Sequence, residues 1–298
     1  MPIMNTVIQG GGSTPTGTKQ ITTNGTHDVA AYEYADVQVP TTAPEIYRVF
    51  RNNNGKLENS QSTPFIPLPS TITDIGEYCM YNAYRATPSS VLSGAIDLSN
   101  LTQLSGNNAC YQMFQGCTGI TSVDLSSLTT ISGSVSSMFY GCTPLTSLNL
   151  SSLTTISGSY ACSSMFKDCT ALASVDLSGL TTISGSSGCN GMFEHCTSIT
   201  SVAFNSLSTL SGSTACKDMF KNCTSLTSLS FPALTSTSFG TQVNQLNNLL
   251  SSNITGCTIH FPSNLDPSGG STVISSLTGY PNFGGTNTVL AFDLPATE

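Results

Sequence analysis

The sequence predicts an α/β repeat fold, a solenoid of about eight coils with a small all-β segment at its N-terminus. Three observations predict it. Met-Phe pairs begin at Met113, Met138, Met165, Met192 and Met219, in steps of 25, 27, 27 and 27 residues. Each pair is followed by Cys-Thr, at Cys117, Cys142, Cys169, Cys196 and Cys223. Each Cys-Thr leads into a stretch such as LTSLNLSSLTTISGS, in which apolar and hydroxyl residues alternate. A fixed period of roughly 20–50 residues marks stacked units, each of which buries its apolar face only against its neighbours.

One unit shows the expected elements. Cys162, Met165, Phe166 and Cys169 stand at i, i+3, i+4 and i+7, one face of two helical turns. Val175 and Leu177 flank Asp176 in a short strand, two side chains inward and one outward. Leu180 and Ile183 point inward, and Gly185 with its serines permits the bend before the next helical turn. A strand plus a helical turn in about 20–29 residues is leucine-rich-repeat geometry. Weaker copies lie at both ends. Ile96, Leu98, Leu101 and Leu104 precede the series, and Ile66 and Leu68 supply a first strand, followed by Ile72, Ile75 and a Met80-Tyr81 equivalent of Met-Phe. Leu229 with Phe231, then Ile259 with Phe261, close it. The chain divides into a β-rich attachment segment and linker (1–45), a cap hairpin (46–64), the solenoid (65–262) and a C-terminal cap (263–298), in which Val289, Ala291 and Phe292 cover the end.

Composition excludes several functions. The 298 residues carry 8 Lys and Arg against 16 Asp and Glu, a net charge of −8, and the basic residues are scattered. Phosphate backbones and anionic membranes need clustered cations, so neither nucleic acid nor membrane insertion is expected. No apolar run reaches the roughly 18 residues of a membrane span, and the N-terminus lacks the pattern of a signal peptide. The expectation is synthesis in a cytoplasm without export by the common route.

The stretch ITDIGEYCMY and the repeated MFxxCTxLTSLxL pattern resemble the BspA-type (treponemal) leucine-rich repeats, over about two thirds of the chain. The unit departs from that family's usual one in its length of 27 residues and its extra Ser-Gly-Ser stretch. The resemblance implies a binding role, since proteins with these repeats include bacterial surface adhesins. Residues 18–40, TKQITTNGTHDVAAYEYADVQVP, resemble a short β module recurrent in tail and virion proteins of gut bacteriophages, and the ending from His260 resembles the end of leucine-rich-repeat proteins of such phages. These likenesses imply a virion structural and adhesion protein, tail- or fibre-associated. Residues 1–45 would contact other virion proteins and the solenoid a host-surface glycan or protein. A bacterial cell-surface adhesin is the alternative, and a homo-oligomer is left open.

Candidate chemistry is sparse, and neither an enzyme nor a cofactor is expected. Cys110, Cys162, Cys189 and Cys216 form one row, with Val135 in the same slot, and Cys117, Cys142, Cys169, Cys196 and Cys223 form another. A slot shared by Cys and Val is a small buried apolar site, so the thiols are expected in the core. Disulfides between coils and a metal are the weighed alternatives, and a line of equivalent residues does not converge as zinc ligands do. Glu194-His195-Cys196 places a base beside a thiol, yet Cys196 belongs to the core row. His195 shares a variable, solvated slot with Gly116, Gly141, Asp168 and Asn222. The candidate ligand-binding residues are the outward strand positions Asp97, Asp124, Asn149 and Asp176, expected on a concave sheet and free of any part in the core. The pairs after Met-Phe, such as Lys167-Asp168, Glu194-His195 and Lys221-Asn222, are the competing site on the opposite side.

Overall fold

The computed structural model describes residues 73–75, 84–86, 89–90, 92–235, 237–238, 245–246, 248–250, 254–266 and 288–295. The attachment segment 1–45, the cap hairpin 46–64, the first strand at Ile66 and Leu68, and the Met80-Tyr81 pair lie outside them. The described residues form a parallel β-solenoid of about six turns. One face is built by β1 (Gly94–Asp97), β3 (Ile120–Asp124), β5 (Ser147–Asn149) and β7 (Ser174–Asp176), paired in that order. It continues through β9 (Ser201–Ala203), β11 (Ser228–Ser230), β12 (Thr258–Pro262) and β13 (Val289–Leu294), which pair in that order, with β7 and β9 in contact. A second face carries two-residue strands, β2 (Gln103–Leu104), β4 (Thr130–Ile131), β6 (Thr155–Ile156), β8 (Thr182–Ile183) and β10 (Thr209–Leu210). The expected C-terminal cap supplies β13, which extends the sheet in parallel with β12.

Among the described residues the expected helical turns are absent, and the only helix is a 3-10 turn, Ser263–Leu265. The third side of each coil is instead a run of tight turns. In the Met165 coil, Met165 N–H donates to Cys162 O at 3.1 Å and Cys169 N–H to Phe166 O at 3.2 Å, while Phe166 N–H donates to Met192 O of the next coil at 2.9 Å. Alternate amides thus close a turn or cross to the next coil. Every fourth residue has positive φ: Tyr160 (55°), Ser164 (53°) and Asp168 (61°), then Ser187 (53°), Gly191 (59°) and His195 (64°). A left-handed residue every fourth position breaks an α-helix. The buried residues follow the same period of four, Ala161-Cys162, Met165-Phe166 and Cys169. The i, i+3, i+4, i+7 spacing therefore fits this turn run as well as a helix. The chain adopts the turns because they let half of the amides bond between coils at strand spacing, whereas stacked helices sit about 8–10 Å apart.

That choice shapes the core. Tyr84, Phe114, Phe139, Phe166, Phe193 and Phe220 form one column of rings stacked at 5.2–5.8 Å. Tyr84, three residues beyond the expected Tyr81, holds the first aromatic slot. Phe204, Phe231, Phe261 and Phe292 form a second column at 4.8–5.9 Å, where earlier coils carry Leu98, Leu125, Leu150 and Leu177. The ring spacing on the turn side is close to the roughly 4.8 Å between strands. Gly133, Gly158, Gly185 and Gly212 stand in one row where neighbouring coils approach closely. A Cβ on Gly185 would lie 2.0 Å from Gly158 O, and on Gly212 2.2 Å from Gly185 O. Close approach, not only the bend, demands glycine there. Gly185→Ala is expected to cost about 3 kcal/mol or more through forced separation of coils, while Ala at the exposed neighbour Ser186 changes little. Urea denaturation of the two variants distinguishes them.

The cysteine rows lie inside. All ten described cysteines are free thiols and buried. In one row each Sγ–H donates to a carbonyl of the preceding coil: Cys142 to Phe114 O at 3.3 Å, Cys169 to Phe139 O at 3.2 Å, Cys196 to Phe166 O at 3.1 Å and Cys223 to Phe193 O at 3.0 Å. The other row packs Cys110, Cys162, Cys189 and Cys216 at the slot of Val135, each at most 1 % exposed. Burial pushes the Cys169 and Cys223 thiols from an ordinary 9.0 up to about 12. Between those values the unfolded chain loses protons that the folded chain keeps, so stability is complete below pH 9 and falls as pH rises towards 12. Urea midpoints are expected to drop steadily over that range. Thiol reagents at pH 8 should label the protein only after unfolding, with no reductant needed; a reductant requirement would place bridges in the core.

Candidate functional site

The outward row of the long-strand face is in register. Asp97 pairs with Asp124, Asp124 with Asn149, and Asn149 with Asp176. All four are exposed. A second outward row, Ser122, Ser147 and Ser174, runs beside it and continues in Ser201 and Ser228. Towards the C-terminal end the first row becomes Ala203, Ser230 and His260. His260 Nδ1 bonds Asp293 Oδ1 of β13 at 2.9 Å, and this bond holds the Asp293 carboxyl below its ordinary value.

Each member of the row also closes a local turn. Asp97 Oδ1 accepts from Ser99 N–H at 2.9 Å and from the Ser99 hydroxyl at 2.6 Å. Asp124 Oδ1 accepts from Ser126 N–H at 2.9 Å, Asn149 Oδ1 from Ser151 N–H at 3.0 Å, and Asp176 Oδ1 from Ser178 N–H at 2.9 Å. These Asx turns lead the chain off the strand. The two Ser99 bonds lower the Asp97 pKa, so it is ionised beside Asp124. Asn149 separates Asp124 from Asp176 by two strand spacings, about 9.6 Å, near the screening length in physiological salt. Oδ1 of each side chain serves its turn; each Asp keeps a second carboxylate oxygen as a further acceptor, and Asn149 has an amide NH2 donor in that place. A Ca2+ shell takes about six to eight oxygens around a point, and no three His, Cys, Asp or Glu converge that way among the described residues.

The competing patch on the turn side has its own order. His195 Nδ1 lies 2.7 Å from Asp168 Oδ1, and Nε2 meets Asn222 Nδ2. An amide nitrogen only donates, so Nε2 is the acceptor and Nδ1–H donates to Asp168. The Tyr140 hydroxyl bonds Asp168, which raises the Tyr140 pKa. Glu194 sits between Lys167 at 2.9 Å and Lys221 at 3.4 Å. These residues stand 27 positions apart in adjacent coils, so the alternating signs were readable from the period. Cys196, next to His195, is buried and bonded to Phe166 O, on the other side of the backbone from the imidazole. The slot of Gly116, Gly141, Asp168, His195 and Asn222 has φ of 61–74° throughout. Gly, Asn, Asp and His are the residue types most at home there. Backbone conformation, rather than chemistry, accounts for His195.

The row lies outside the core, as expected, yet its side chains hold turns, so replacement by Ala is expected to touch stability. Asp124→Ala, Asn149→Ala and Asp176→Ala combined are expected to lower stability by about 2 kcal/mol, from three lost bonds of roughly 0.5–1.5 kcal/mol each. Asp124→Asn with Asp176→Asn keeps an acceptor oxygen and the turn, and its melting temperature should match the parent's. Equal losses in both variants would assign the effect to charge.

Six copies of the BspA type leucine rich repeat region match the sequence, over residues 53–161, 100–211 and 136–266. No curated protein and no solved structure matches the chain. The matched stretches together span residues 53–266 of 298, and they hold the first ring column, the cysteine ladder and the Asx row alike. The chain therefore belongs to the BspA-type leucine-rich-repeat family.

Proposed function

We propose that this protein is a non-enzymatic bacteriophage virion component, tail- or fibre-associated, whose long-strand face binds the host surface. The family marks a surface or protein-interaction repeat protein. The observation that carries the rest is the exposed, in-register row of Asp97, Asp124, Asn149 and Asp176 beside a row of serine hydroxyls, in which each Asp keeps one oxygen outside its turn and Asn149 offers an amide donor. Regularly spaced acceptors among hydroxyls fit a hydroxyl-rich partner such as a surface glycan, bound by many modest hydrogen bonds. Bonds to a carboxylate are roughly twice as strong as neutral ones. The row loses its acceptors at Ala203, so a ligand would lie on it in one direction. The likeness of residues 18–40 to a phage β module supports attachment of the segment 1–45 to the particle.

Asp97→Asn, Asp124→Asn and Asp176→Asn combined separate binding from folding. Host-cell binding is expected to fall at least about tenfold, through weaker charge-assisted bonds, with an unchanged melting temperature. Unchanged binding, together with loss on replacing Lys167, Glu194 and Lys221, would move the site to the turn side. Mass spectrometry of purified particles should find the full chain, and deletion of residues 1–45 should abolish its incorporation. Recovery from bacterial surfaces in the absence of particles would select the adhesin reading.

A further inference from the structure

We infer that the C-terminal end of the solenoid is a self-association face, where β13 of one chain pairs antiparallel with β13 of a second copy about a two-fold axis at Ala291. Independently of the host-binding reading, the inference rests on how β13 ends the sheet.

Among the described residues, strand β13 is terminal in its sheet and pairs with β12 on one side. Val289 N–H donates to Cys257 O at 2.9 Å, so the N–H and C=O of the next residue, Leu290, face away from β12. The core ends there as well. Ile259 and Phe261 on β12 are both 0 % exposed, whereas their successors Leu290 and Phe292 are only half-buried, packed against the core from one side. Phe292 stacks 5.9 Å from Phe261 and is the last ring of its column. Val289 is 52 % exposed. A strand edge that offers free backbone groups beside apolar side chains is a template for another strand.

The occupant that fits is the same strand. With the axis at Ala291, Leu290 of each copy meets Phe292 of the other on the core side, and the two alanines meet on the outer side. The ring column of each chain then continues into apolar surface of its partner. Charge agrees: Asp293 is already bonded to its own His260 and falls opposite Val289 of the other copy, so no like charges meet. The pairing also closes on itself. Such an isologous contact uses the same patch twice and stops at two chains. The register slip between His260 and Pro262, and Pro295 just beyond the strand, end the pairing after a few residues.

Residue 291 on the axis gives a specific test. In Ala291→Asp two carboxylates oppose each other, and in Ala291→Lys two ammoniums do; mixed, they attract. Light scattering of the full-length parent at micromolar concentration should give twice the mass of one chain. Each variant alone should show its dimer dissociation constant raised about tenfold, and a one-to-one mixture should restore the dimer. Circular dichroism melts at low concentration verify folding, and Val289→Lys, at an exposed position against the partner's Asp293, should keep the dimer if either Ala291 variant unfolds. A monomeric parent, a trimer, or a dimer indifferent to both Ala291 charges would overturn the inference, as would a mixture no more associated than its components.

Discussion

Adjacent coils must keep nearly one rise, about the 4.8 Å of a β ladder, on every side of the molecule. The strands impose it on two sides through parallel hydrogen bonds. The turn side meets it by sending alternate amides, such as Phe166 N–H to Met192 O, to the next coil. Everything inside follows from that common rise. Rings can stack only as in-line columns, thiols only as ladders, and wherever two backbones touch, as at Gly185, no side chain fits. The repeat is uniform because a residue in one coil meets its own equivalent in the next.

The same constraint distributes function over the surface. Equivalent outward residues become rows, so Asp97, Asp124, Asn149 and Asp176 stand in one line. It also discourages the convergence of unlike groups that catalysis or metal binding requires. Where unlike groups do meet, at Asp168, His195 and Asn222, they meet along a row and satisfy each other. The row residues have a double duty. Each spends Oδ1 on the turn after its strand and keeps the other terminal atom, an oxygen in Asp and an amide nitrogen in Asn149, which ties the surface chemistry to local folding and makes Asn, not Ala, the informative replacement.

A stacked core has two ends, and the ends are where it is exposed. The described coils bury their Phe and Leu columns completely in the middle. At β13 the columns stop with Leu290 and Phe292 half-covered. Among the described residues no further coil follows β13, so that end is chemically like a coil beside an open place in the stack.

The period of 27 residues, the inward Leu, Ile, Phe and Cys positions, and the outward Asp and Asn row were legible in the sequence, because a repeat writes each contact several times. The Glu194 pairs with Lys167 and Lys221 were legible too, at one period on either side. The turn side was not, since Cys162, Met165, Phe166 and Cys169 satisfy a period of 3.6 and a period of four equally well. Its cue lay in a slot filled by Gly116, Gly141, Asp168, His195 and Asn222, residue types that accept positive φ, but only the backbone shows that the slot needs it. The serine contacts of the Asx row escaped for a related reason: a side chain outside the core can still hold a turn. Sequence alone determined which residues face inward and how often they recur, because burial depends on residue type and spacing. Tertiary structure decided helix against turn and the placement of Tyr84 in the ring column, because those depend on where each amide finds its partner in the neighbouring coil.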